Sequence, residues 1–236
     1  MLVVRAEQYL MFRVTNPGGF MNSDQELQAK VLAELRWEPS VNAAHIGVTA
    51  KNGVVTLSGH VTGYLEKQGA ERCAARVNGV KAVAEEIEVR LSLDTRRSDE
   101  DIATAVLSRL SWSSSVPTDS VKVKVEKGWI TLTGQVSEYY QKIAAEMDVR
   151  GLHGVTGISN KMTIKPRVDT VNVSEEIRSA LNRSWFFGPK TVSVSAEGGK
   201  ITLSGTVHSL HDRRLASAIA WSAPGAIAVD NELAIV

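Results

Sequence analysis

Residues 53–61 read GVVTLSGHV, and the chain writes nearly the same stretch twice more, as GWITLTGQV at 128–136 and GKITLSGTV at 199–207. In each copy the residues alternate. Val55, Leu57, Gly59 and Val61 fall on one side, matched by Ile130, Leu132, Gly134 and Val136, then by Ile201, Leu203, Gly205 and Val207. The other side carries Thr56, Ser58 and His60, then Thr131, Thr133 and Gln135, then Thr202, Ser204 and Thr206. A period of two marks a strand with one buried and one wetter face. The glycine in the inward series raises the question of what approaches it, since glycine weakens a strand interior.

The repeat extends outward. Gly59, Gly134 and Gly205 are each followed 20 residues later by a second glycine, Gly79, Gly154 and Gly225. A fixed interval implies a fixed element between them. That element reads as a helix at 64–77, 139–152 and 210–223, with Ala70, Ala145 and Ala216 in matching places. Small residues opposite the first glycine predict tight helix–sheet packing, and the second glycine suits a left-handed residue at a helix end. Both sets are therefore read as structural glycines.

Upstream, Leu27, Val31 and Leu35 recur as Ile102, Val106 and Leu110, then as Ile177, Leu181 and Trp185. This spacing is one stripe of an amphipathic helix. Ser23 with Glu26 and Ser98 with Asp101 have capping-box spacing. A first strand is expected at 45–50, 121–126 and 192–197, with Gly53, Gly128 and the Gly198–Gly199 pair supplying hairpin turns. A third strand carries Val83, Ile87 and Val89; then Ile158, Met162 and Ile164; then Val229, Leu233 and Ile235. The fold class is α+β: three tandem αββαβ units, each a small mixed three-stranded sheet with two helices on one face. The units span 24–91, 99–165 and 174–236, with strand order left open.

Composition bounds the function. The 236 residues carry a net charge of +1, which gives no electrostatic reason to expect nucleic acid. No run approaches a membrane span. Cys73 is the single cysteine, so an intrachain disulfide is excluded and the residue reads as small and buried. The first 20 residues lack a continuous apolar signal region, and we expect a disordered extension with Met21 as the natural start. The histidines do not recur between units. His208 and His211 stand three apart without a third ligand, so no metal, cofactor or catalytic residue is expected and the chain reads as no enzyme.

An aromatic residue follows the first helix in every unit: Trp37, Trp112 and Phe187. Repetition favours core for these. Phe186 stands where Arg36 and Ser111 stand in the sister units, and Trp129 where Val54 and Lys200 stand. For Phe186 and Trp129 two readings are open: burial between units, or an exposed apolar contact. With Trp185 and Phe187 they form the candidate membrane or partner contact.

Threefold recurrence of G-x-[VI]-T-L-[ST]-G-x-V in αββαβ units resembles the BON family (bacterial OsmY and nodulation). Unit one departs at Glu85, where the others have Asn160 and Asn231. The resemblance implies a non-enzymatic, stress-associated module that contacts phospholipid membrane surfaces, with a protein partner or a holdase-like role as the alternative. It implies a periplasmic location, whereas the absence of an export signal favours the cytoplasm.

Overall fold

The computed structural model describes residues 23–117, 119–165, 173–183, 192–223 and 225–236. The Met21 start, the extension before it, and Trp185, Phe186 and Phe187 lie outside the described residues. Unit one contains α1 (Ser23–Trp37), β1 (Ile46–Lys51), β2 (Val54–Val61), α2 (Tyr64–Arg76) and β3 (Ala82–Val89). Unit two contains α3 (Asp99–Ser111), β4 (Val121–Glu126), β5 (Trp129–Val136), α4 (Tyr139–Val149) and a third strand in two pieces, β6 (Gly157–Asn160) and β7 (Thr163–Ile164). Unit three contains α5 (Val173–Arg183), β8 (Val192–Glu197), β9 (Lys200–Val207), α6 (Leu210–Trp221) and β10 (Ala228–Ile235).

The quoted strand is the centre of each sheet. β2 pairs antiparallel with β1 and parallel with β3, and β5 and β9 repeat the arrangement. The parallel partner is reached through the second helix, as a crossover requires. Val55 and Leu57 are fully buried against Leu35 of α1 and Ala70 and Ala74 of α2, so both helices cover one face. Each buried Leu contributes about 1.5–3 kcal/mol relative to exposure. The other units repeat this with Ile130 and Leu132, then Ile201 and Leu203.

The inward glycine answers to the backbone of the neighbouring strand and not to the covering helix. Gly59, Gly134 and Gly205 have φ of +117°, +137° and +125°. A side chain at Gly59 would land on the carbonyl oxygen of His45, and one at Gly134 on that of Ser120. The alanines are fully buried as expected, but they pack on the sheet's aliphatic side chains.

The third strand is held to the second helix by a polar staple with two chemistries. Asn160 donates from Nδ2 to the Lys142 carbonyl at 2.8 Å, while its Oδ1 accepts from the Met162 amide at 3.3 Å. Asn231 does the same with Arg213 and Leu233. In unit one Glu85 accepts from the Ile87 amide at 2.6 Å and pairs with Lys67 at 2.8 Å, whose Nζ also reaches the Ile87 carbonyl. Glu85 therefore departs from the motif without losing the staple. Ser98 and Asp101 form the capping box of α3, whereas Glu26 is engaged with Lys30 at 2.7 Å.

The three second helices close into a cycle. Tyr64, at the start of α2, packs against the core of unit two, with Leu65 beside Gly151 just past α4. Tyr139, at the start of α4, stacks on Trp221 at the end of α6, with ring centroids 4.7 Å apart and planes 12° apart. Arg214 of α6 reaches Glu71 of α2 at 2.6 Å, closing the ring. Burial pushes the Tyr64 and Tyr139 phenols above their ordinary range, and the Glu146 carboxylate adds to both. Sequence reading missed this interface. Tyr64, Tyr139 and Leu210 do recur at one place, but off the core stripe.

Two outcomes are expected in thermal unfolding. Gly134→Ala costs about 2–3 kcal/mol, because both φ and the Ser120 carbonyl oppose the new Cβ. At the ring contacts, Tyr139→Ala costs about 2 kcal/mol through lost aromatic burial, and Glu71→Ala less than about 1 kcal/mol because its partner is half-exposed.

Candidate functional site

The aromatic residues that end the first helices are exposed. Leu35 and Leu110 are buried, but Trp37 is 85% and Trp112 86% exposed. This corrects the expectation that a repeated aromatic here belongs to the core. The geometry was available in the sequence. Two residues beyond Leu35 is a rotation of about 200° around the helix, which turns Trp37 away from the sheet. The third member of the set, Phe187, lies outside the described residues.

Trp37 borders an open groove of about 690 Å³ between α1 and the end of α2, together with Lys30, Ala33, Glu34 and Arg76. Its charges are matched. Arg76 pairs with Glu34 at 2.9 Å and with Glu38 at 3.5 Å, and Lys30 pairs with Glu26. Hydrogen bonds from the Ser40 hydroxyl and amide hold the Glu38 carboxyl below its ordinary range, with Arg76 assisting. The groove therefore offers an indole on a locally neutral surface, not a polybasic one.

Trp129 has a different environment. Its indole lies across Gly157 on the adjacent strand, where any side chain would collide with the ring. Its Nε1–H donates to the Ser159 hydroxyl at 3.0 Å, and the residue remains 44% exposed. Trp129 thus fills the space left by a cross-strand glycine within its own sheet. The unit-to-unit burial considered for it is provided instead by Tyr64, Tyr139 and Trp221.

Cys73, His45 and His60 have structural surroundings. Cys73 is buried, with Arg76 at 3.5 Å; burial pushes its thiol above the ordinary range, an effect Arg76 opposes and Glu38 and Glu34 reinforce. His45 and His60 stack with centroids 4.8 Å apart. Among the described residues no group of three or more His, Cys, Asp or Glu side chains could hold a metal ion.

Three αββαβ units built on one strand motif, each with its structural glycine and the same strand order, define a tandem-repeat α+β protein. The BON domain pattern matches residues 23–90, 98–166 and 169–236, and the chain belongs to the BON domain family. It is 30% identical over 152 residues to "Osmotically-inducible protein Y" of Escherichia coli (strain K12), covering 63% of this chain and 75% of that protein. It is 31% identical over 147 residues to "21 kDa hemolysin" of Actinobacillus pleuropneumoniae, covering 60% and 76%. A solved structure of CdsD, a structural protein of the type III secretion system of Chlamydia trachomatis, covers 89% of this chain and 92% of its own. Its identity is 18% and its TM-score 0.25.

The burial and raised pKa of Cys73 have a chemical consequence. A disulfide reagent at pH 8 is expected to label the folded protein far more slowly than the denatured chain. Rapid labelling without denaturant would contradict the buried position.

Proposed function

We propose that the protein is a non-enzymatic, stress-associated module that binds the surface of phospholipid membranes through the indoles of Trp37 and Trp112. The observation that carries this reading is the near-complete exposure of two tryptophans at equivalent helix ends. An exposed indole costs free energy in water, and an amphipathic ring suits the headgroup boundary of a bilayer. Trp37 and Trp112 occupy equivalent positions in successive units, one at the end of α1 and one just past α3. Among the described residues no helix is long and apolar enough to cross a membrane, so contact through these residues would be superficial.

The relatives support the same reading. One is named for induction by osmotic stress and another for lysis of red cells, and neither bears an enzyme's name. Near-neutral overall charge and the matched ion pairs around Trp37 favour an apolar contact over polybasic adhesion.

The test is co-sedimentation of the full chain with zwitterionic and anionic vesicles at low and high salt, alongside the Trp37→Ala/Trp112→Ala double variant. Binding that survives salt and weakens at least about tenfold in the variant is expected. Binding abolished by salt and indifferent to the variant would overturn the indole contact. Failure to bind either vesicle would replace the membrane with a protein partner.

A further inference from the structure

The connector between units one and two lies beside a cleft of about 490 Å³ whose charges do not balance. Arg90, Arg96, Arg97 and Lys127 face two carboxylates, Glu88 and Asp99. Both carboxylates are already engaged. Glu88 accepts from Nε and Nη2 of Arg90, each at 2.8 Å. Asp99 accepts from the backbone amides of Lys127 and Gly128, each at 2.8 Å, which fixes the β4–β5 turn. Among the described residues Arg96, Arg97 and Lys127 make no ion pair, and Asp99, whose hydrogen bonds to neutral amides leave its charge in place, stands as a single carboxylate beside these three cations, so the cleft keeps a net positive charge.

Two of them are oriented by the chain itself. Arg97 donates from Nη1 to the carbonyls of Asp94 and Arg96 at 2.8 and 2.7 Å, and Arg96 donates from Nε to the Leu91 carbonyl at 3.3 Å. The stem of Arg97 lies close over Gly154, where a Cβ would meet it at 3.0 Å. Carbonyl contacts at one edge of a guanidinium leave its other donors for a ligand. The planar fork of arginine matches the oxygens of a tetrahedral oxyanion. Unit one does not share the excess, because its corresponding cleft is bordered by Asp24 and Glu26 beside Lys30 and Lys81.

We propose that this cleft binds a phosphate group, held by Arg96, Arg97 and Lys127. The site lies at the start of α3, at the opposite end of that helix from Trp112, and does not rest on the indole contact. A phosphate here would bridge the connector to the β4–β5 turn of unit two. The group has two possible sources, a soluble phosphate monoester or the headgroup of a phospholipid.

The test uses the isotopically labelled full chain. Inorganic phosphate and glycerol 3-phosphate are titrated while the amide resonances of Lys127, Gly128 and Thr156 are followed against a chloride control of equal ionic strength. Flotation with phosphatidylglycerol and phosphatidylcholine vesicles forms the second arm. Saturable shifts with either soluble phosphate identify a free-phosphate site; selective flotation with phosphatidylglycerol and no soluble response identifies a headgroup site. In either case Arg96→Ala/Arg97→Ala is expected to weaken binding at least about tenfold with an unchanged unfolding midpoint. Should that variant be unstable, Lys127→Ala serves, since only its backbone is used in the fold, and a severalfold weakening is expected. No response in both arms, shifts equal to those with chloride, or variants that bind like the parent would overturn the site.

Discussion

The approach of one carbonyl to a bare Cα underlies units one and two. At Gly59 and Gly134 the middle strand turns through a left-handed φ, and the carbonyls of His45 and Ser120 occupy the space a side chain would claim. That approach brings the incoming chain into register, so that Ile46 lies opposite Gly59 and Val121 opposite Gly134. Register then decides which side chains face the helices. A slip of one residue would expose Val55 and Leu57 and bury Thr56 and Ser58. The alanines of the second helix follow from the same geometry, because a three-stranded sheet offers little area and the helix must lie close to cover it.

Much of this was legible in the sequence because it is carried by periodicity. Alternation marked the middle strands, the i, i+4, i+8 stripe marked the first helices, and fixed glycine spacing marked the crossover. Trp37 was misread because recurrence was taken as burial, although its angular offset from Leu35 places it outward. Trp129 was legible as an outlier, but its partner is a glycine, which leaves no pattern to read. The cyclic packing of the second helices was not legible. Its contacts combine an aromatic stack, an ion pair and a phenol against another unit's core, and no residue type repeats at all three junctions.

The units also show how repeats diverge without losing the fold. Asn160, Asn231 and Glu85 restrain the third strand by different donors and acceptors, yet each satisfies the amide two residues on. Surfaces have diverged further than cores. The connector beside unit two is rich in arginine, while the matching edge of unit one is acidic and lysine-paired. Equivalent architecture thus presents different surface chemistry in units one and two.

The ring is closed by contacts of unequal strength. The start of α2 meets the region just past α4, and the start of α4 meets the end of α6, so these two junctions are head-to-tail and not self-complementary. Where unit three meets unit one, α2 packs against α6, and a polar link between them is an ion pair whose partners are 48% and 35% exposed, which adds little in water. Opening that junction would free two complementary surfaces on a single molecule. The same surfaces that complete the ring within one chain would then join separate chains in succession, giving open-ended assemblies instead of pairs. Tethering of the three units in one chain favours closure of these contacts within the molecule over the same contacts between molecules.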